Sequence, residues 1–242
     1  MSGRIEGKRV LVTQASDYMG PATEKLFAAE GAHVTTDTSD LTQPGRCEAL
    51  VEASGEIDIL VANLASPNFS GIATAELNDA DWQTTFDMMV HPLHRLCRAV
   101  LPQMIERGEG YLMNTSSAAG LLTQLGAAGY AVTKAAAVSF AEWIKITYGD
   151  KGIGVSCLCP QAVRTAMTAN GPGVAGVDGM MEADVVAKDV LNAIEEERFL
   201  VTPHDEVLEY VKRKGNDRDR WITGMQRLQK QYEDFLTPME ED

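Results

Sequence analysis

Arg9-Val-Leu-Val-Thr-Gln-Ala-Ser-Asp-Tyr-Met-Gly20, followed by Pro21 to Glu30 and then Gly31-Ala-His-Val-Thr-Thr36, decides the fold. Arg9 to Thr13 is a short apolar run of the kind that forms a buried strand, and Pro21 to Glu30 carries apolar residues at helical spacing. Gly31 is a good helix stop, and the β-branched run behind it reads as a second strand. Working outward, Ile57 to Ala62, Gly110 to Asn114, Gly154 to Leu158 and Arg198 to Thr202 read as further strands. Asp79 to Arg107, Ala127 to Tyr148 and Glu182 to Glu195 read as helices, the first kinked or interrupted by Pro92. Alternating strands and helices, with strands apolar almost throughout, point to an α/β fold. Its sheet is parallel, doubly wound and covered by helices on both faces. With no repeat and no dense linker, residues 1–242 read as a single domain with its core at about 8–203 and a helical C-terminal extension at about 204–236.

Composition narrows the function. The 242 residues are 45% hydrophobic and 23% charged, an ordinary globular balance. With 35 acidic against 21 basic side chains the formal charge is −14, which argues against a nucleic-acid partner. Four scattered cysteines without a C-x-x-C pair point to a reducing, cytoplasmic setting, with Cys157 and Cys159 expected on opposite strand faces and unbridged. The apolar runs are too short for a membrane span, and the polar Met1 to Gly7 opening does not resemble a signal peptide.

The chemistry concentrates in Asn114-Thr-Ser-Ser-Ala-Ala-Gly120 at a strand end and Tyr130-Ala-Val-Thr-Lys134 at the start of a helix. Ligands of open parallel sheets bind beyond the carboxyl ends of strands, which puts Ser117 at a mouth. Tyr130 and Lys134 share a helical face, and an ammonium beside a phenol is expected to lower the tyrosine pKa toward the working range. A serine hydroxyl facing the same space can orient an oxygen between them, so the set is equipped to move a proton on and off an oxygen.

These residues resemble the short-chain dehydrogenase/reductase family, a Rossmann-type fold, over about residues 8 to 203. The match is carried by Ser117, by Tyr130 thirteen residues on and by Lys134 four beyond that. The resemblance implies interconversion of an alcohol and a ketone with a nicotinamide cofactor. Tyr130 would be the general acid/base, Lys134 its activator and ribose ligand, and Ser117 the residue that orients the carbonyl. Cys159-Pro-Gln-Ala-Val-Arg-Thr165 resembles the family's nicotinamide-lining segment. The apolar loop from Met167 to Met181 then corresponds to its variable substrate lid, implying a small neutral or apolar substrate. The resemblance also implies a homodimer or homotetramer built on the two long helices.

Departures gather in the cofactor half. The family's Thr-Gly-x-x-x-Gly-x-Gly is Thr13-Gln-Ala-Ser-Asp-Tyr-Met-Gly20 here, with Gln14 and Tyr18 where the first two glycines stand. Asn63-Leu-Ala65 replaces Asn-Ala-Gly, and Met89 falls about where the family has its relay asparagine. The short span from Thr36 to Ile57 is expected to lack a helix, or a helix and a strand. Carried over residue by residue, cofactor binding falls on Thr13, Gln14, Tyr18, Met19, Gly20, Asp37, Asp40, Leu41, Asn63, Tyr130, Lys134, Pro160, Val163 and Thr165. The two carboxylates near the adenosine end favour NAD over NADP.

Thr13, Tyr18 and Gly20 also resemble the first turn of halohydrin dehalogenases, cofactor-free relatives in which an aromatic ring fills the nicotinamide space. Their catalytic arginine is Lys134 here. Tyr18 therefore either fills that space or swings to solvent, and the retained lysine favours the second. The alternatives to the oxidoreductase are a dehalogenase-like lyase using Ser117 and Tyr130, or a non-catalytic relative of the fold. His91, His94 and Cys97 read as helix packing rather than a metal site, and no metal is expected.

Overall fold

The computed structural model describes residues 4–65, 77–169 and 171–232. Its strands are β1 (Arg9–Val12), β2 (His33–Thr36), β3 (Ile59–Ala62), β4 (Gly110–Thr115), β5 (Ile153–Leu158), β6 (Val163–Arg164), β7 (Met181–Glu182) and β8 (Leu200–Val201). The helices are α1 (Gly20–Ala29), α2 (Arg46–Ser54), α3 (Asp79–Met89), α4 (His91–Arg107), α5 (Ala118–Leu122), α6 (Ala128–Tyr148), α7 (Ala183–Glu195), α8 (Asp205–Asn216) and α9 (Arg218–Gln231). Six strands form one sheet in the order β2-β1-β3-β4-β5-β8, every pair parallel. β6 and β7 pair separately.

Side-chain alternation along the strands explains the two covering layers. Leu11, Leu60, Ala62, Leu112 and Val155 point into one core with α2, α4 and α6, which supply Leu50, Leu96, Val100, Met104, Val138 and Ile144. Val10, Val12, Ile59, Val61 and Met113 point the other way, against Phe27 of α1 and Val186, Val190 and Ile194 of α7. A strand with two buried faces has no polar position to offer, which is why these runs read as continuous apolar segments. β1 lies between β2 and β3, so the strand order reverses beside it, and the site opens at the carboxyl ends there.

Two local expectations change, and one pair of alternatives is settled. Of a kink or an interruption between Asp79 and Arg107, the structure has the interruption, as two helices. They are separated at Val90, and Pro92 sits in the first turn of α4, where a proline leaves no hydrogen bond unmade. Between β2 and β3 the chain keeps one helix, α2, that the sequence reading did not place, and among the described residues no strand lies outside β2. Cys157 and Cys159 are two apart and therefore share a side, and their sulfurs are 3.9 Å apart as free thiols. The C-terminal extension forms α8 and α9, and Lys214 Nζ donates to the Leu121 carbonyl at 2.5 Å, tying α8 to α5. Among the described residues no helix is long and apolar enough to cross a membrane.

Candidate active site

β4 delivers Ser116 and Ser117 to the mouth of the sheet, and both are buried. Ser117 caps α5: its hydroxyl accepts from the Ala119 amide at 3.1 Å and donates to the Pro160 carbonyl at 3.4 Å. Ser116 Oγ donates to the Lys134 carbonyl at 2.9 Å, so the serine pair also sets the position of α6. Gly120 makes that approach possible, because a Cβ there would lie 2.6 Å from the Lys134 carbonyl oxygen.

The three residues expected to carry chemistry come together. A Ser117 hydrogen bond favours the Tyr130 phenolate, but burial outweighs it and pushes the phenol up to about 12. Lys134 is 2% exposed. Its ammonium donates to the Leu64 carbonyl at 2.8 Å and the Thr115 carbonyl at 3.0 Å, and lies 5.6 Å from the centre of the Tyr130 ring. Burial lowers its pKa to about 8. The expected lowering of the tyrosine by the lysine is therefore corrected. The lysine's charge is directed at two backbone carbonyls, and loss of solvent dominates the phenol. Met89, buried beside Tyr130 and Ala119, presents a thioether where a relay would need a proton-carrying group.

The first turn is built around Thr13 and Asn63. The Asn63 amide donates to the carbonyls of Gln14 (3.0 Å) and Asp17 (2.9 Å), and the Asn63 N–H donates to Thr13 Oγ (3.2 Å). Gln14 and Tyr18 both hold left-handed backbone, with φ of 44° and 51°. The loop thus keeps the course that glycines would give it, at a strain of about 1 kcal/mol or more for each residue. The Gln14 side chain reaches across to accept from the Ala65 amide at 2.8 Å.

Tyr18 is half-buried against the α1–α7 core and lines a cavity of about 220 Å³ together with Ser117, Tyr130, Gln161 and Val163. Its phenol is raised well above the usual tyrosine value, first by burial and then by the neighbouring Tyr130 and Cys159. The ring is turned into the mouth rather than to solvent, which corrects the favoured expectation.

The other carried-over positions divide by environment. Met19 and Leu41 are each 1% exposed, so only their backbones can face a ligand. Asp37 accepts from Ser39 and pairs with Arg46 at 3.5 Å, and Asp40 accepts from Thr42 and Gln43. Val163 and Pro160 are buried beside the mouth, and the Thr165 N–H donates to Thr168 Oγ at 3.1 Å. The α1 N-terminus is capped by no side chain, carries no acid in its first turn and packs Gly20 against the Ala15 carbonyl. That end fits the pyrophosphate of a dinucleotide. The nicotinamide end fits only once the Tyr18 ring gives way.

A second cavity, of about 730 Å³, shares Ser117, Gln124 and Gln161 with the first. Its far wall is α8 and α9, through Tyr210, Arg213, Arg220, Trp221, Met225 and Leu228. In the sequence these helices read only as a C-terminal extension. The apolar stripe over Val207, Val211, Trp221 and Met225 was the available signal, but it did not say what the stripe faces. Gln161 lies within the Cys159 to Thr165 segment that resembles the family's nicotinamide-lining stretch. Its Nε2 donates to Asp178 at 2.9 Å, and Asp178 also accepts from the Tyr210 hydroxyl at 3.0 Å, latching the 161–178 loop to α8. Val174 and Ala175, in the apolar loop between Met167 and Met181, line both cavities.

Comparison with known proteins agrees with this architecture. The family model described as short chain dehydrogenase matches residues 5–172. A 2-keto-3-deoxy-L-fuconate dehydrogenase of Xanthomonas campestris is 31% identical over 183 residues, which are 67% of this chain and 60% of that enzyme's length. Oxidoreductase UcpA of Salmonella typhimurium is 28% identical over 93% of this chain and 94% of its own. A short-chain dehydrogenase structure from Streptomyces avermitilis superposes with a TM-score of 0.78 at 23% identity, covering 93% of this chain and 98% of that one. The parallel sheet with its reversal at β1, the serine at the end of β4 and the matched family model lead to one statement: the chain belongs to the short-chain dehydrogenase family.

Proposed function

We propose that the protein is a nicotinamide-dependent oxidoreductase that interconverts an alcohol and a ketone at Ser117, Tyr130 and Lys134. The observation that carries this reading is the buried lysine. Burying an ammonium is costly, and Lys134 is held at 2% exposure by two backbone carbonyls, beside a tyrosine and a serine that a carbonyl oxygen can reach. A structural role would be served as well by an apolar side chain.

The dinucleotide would lie from the end of β2 past the α1 N-terminus to Lys134, Pro160, Val163 and Thr165, and when bound it supplies or accepts the hydride. Ser117 orients the substrate oxygen. Tyr130 stays protonated through neutral pH, as burial dictates, and so holds the proton that a developing alkoxide takes. Lys134 offers its remaining N–H to a ribose hydroxyl and stabilises negative charge on the phenol as the proton leaves. Asp37 at the end of β2 sets like charge against a 2′-phosphate, which supports NAD over NADP.

Finer features follow the same reading. Trp143 is 53% and Ile146 84% exposed on α6, apolar surface that supports a homodimer or homotetramer. Four unbridged cysteines, two of them within reach of each other, support a reducing, cytoplasmic setting. One observation favours a second reading: the Tyr18 ring occupies the mouth as the aromatic residue does in the resemblance to halohydrin dehalogenases, which would make the protein a cofactor-free lyase.

The test is carbonyl reduction followed through NADH and NADPH consumption across a panel of aliphatic and aromatic ketones, with wild type and Tyr130→Phe side by side. Cofactor-linked turnover lost in Tyr130→Phe supports the oxidoreductase. Halide release from vicinal halohydrins without cofactor would replace it with the lyase.

A further inference from the structure

We propose that the cavity between α5, the 174–177 loop and the C-terminal helices is the substrate chamber, and that it takes an aliphatic carbonyl compound bearing one carboxylate, with Arg213 and Arg220 as the carboxylate's anchor. This rests on the oxidoreductase reading for what happens at the carbonyl, but the anchor is argued from the chamber alone.

The chamber's size and walls set the first limit. About 730 Å³ falls within the ~300–1,000 Å³ of sites that enclose a drug-sized molecule, so the ligand has an extended body beyond the reacting group. Leu122, Val174, Val177, Trp221, Met225 and Leu228 give it apolar walls. Ser117 lies at the junction with the smaller cavity, so a molecule filling the chamber presents one end to the reacting groups.

Charge sets the second limit. In a chain of net charge −14, Arg4, Arg9, Arg46, Arg98, Arg107, Arg164 and Arg198 each meet a carboxylate. Among the described residues, Arg95, Arg213, Arg218, Arg220 and Arg227 form no such ion pair, and of these five Arg213 and Arg220 line the chamber. Three acids stand nearby, and each has another partner. Glu209, one turn before Arg213 and within its field, is held by Lys212 at 2.6 Å. Asp217 accepts from the Arg220 backbone amide at 2.9 Å as the cap of α9, and Asp178 is held by Gln161 and Tyr210. Arg213 lies over the Tyr210 ring at 5.6 Å, a contact that positions the guanidinium without neutralising it. Two guanidinium forks from two helices, over apolar walls, are a site for a planar carboxylate on an aliphatic body.

The experiment titrates octanoate and its neutral isostere octanamide into the protein by calorimetry, without cofactor. Octanoate is expected to bind about tenfold tighter, the size of a charge-assisted hydrogen bond discounted for exposure. The double variant Arg213→Gln, Arg220→Gln should lose that preference by weakening octanoate alone. Gly224 faces open space on α9, where an added Cβ meets nothing within 4 Å, so Gly224→Phe should plug the chamber without a clash and weaken both ligands. Equal affinity for the two ligands in wild type, a preference that survives the double variant, or binding untouched by Gly224→Phe would each overturn the proposal. Neither ligand carries a reducible carbonyl, so these outcomes are independent of whether the protein transfers hydride.

Discussion

The side chains of Tyr18 and Tyr130 line the same cavity, and the nearness of the second phenol helps to hold the first protonated. One of these tyrosines belongs to the proposed reacting set, and the other stands where the first-turn motif that the chain resembles carries a glycine. Their proximity links the two halves of the site. Anything that enters the mouth alongside Tyr130 must displace or accommodate Tyr18.

Replacing that ring should therefore favour the cofactor. Tyr18→Gly removes the obstruction and also relieves a non-glycine residue at φ 51°, and NADH binding should strengthen by about 1–2 kcal/mol. Calorimetric titration of wild type and variant checks this. Equal affinity would mean that the ring leaves the mouth at no cost.

The pH dependence follows from Lys134. Its folded pKa is lowered, to about 8, so the ammonium is present below that value and lost above it. Reduction needs the charged lysine and the protonated Tyr130, which burial keeps protonated to about 12. The kcat/KM for reduction should thus be level through neutral pH and fall as pH rises past about 8. In Lys134→Arg the guanidinium stays charged to ~12 or above, so whatever activity remains should lose that alkaline limb. An unchanged limb in the arginine variant would assign it to another group.

Gly120 offers a structural test of the same site. Gly120→Ala drives a methyl group to within 2.6 Å of the Lys134 carbonyl oxygen, so α5 must retreat from α6. A destabilisation of about 2 kcal/mol in urea unfolding is expected, together with a loss of activity larger than the loss of folded protein. A variant as stable as wild type would show that the two helices do not need to approach this closely.

The latch on the lid should govern substrate binding rather than chemistry. Asp178→Ala frees both Gln161 and Tyr210, and the expected result is a KM raised about tenfold with kcat held. A fall in kcat with KM unchanged would place Asp178 in the reaction instead.

The fold was legible because β1, β3 and β4 are buried on both faces, and an apolar run such as Ile59–Ala62 has little else it can be. Lys134 was legible because fixed helical spacing joins it to Tyr130. The parts that were missed depend on what lies opposite in space. α2 is a short helix with a mixed pattern, flanked by Gly45 and Gly55, and nothing in it shows that it packs on α4. The direction of Tyr18 goes with its left-handed backbone, which is unusual for tyrosine, in a turn whose Gln14 and Asp17 carbonyls are held by Asn63 just after β3. Nothing in the sequence marks Arg213 and Arg220 as cavity residues before α8 and α9 fold back over α5. The expected effect of Lys134 on the Tyr130 pKa considered charge alone, whereas burial governs that phenol.

The central claim is that this altered first turn still binds a nicotinamide dinucleotide beside Tyr130 and Lys134. Calorimetric titration of NADH and NADPH into the wild-type protein tests it most directly. The account predicts saturable binding to NADH, weaker than in a relative with all three first-turn glycines and weaker still for NADPH. No binding of either cofactor at millimolar concentration would contradict it.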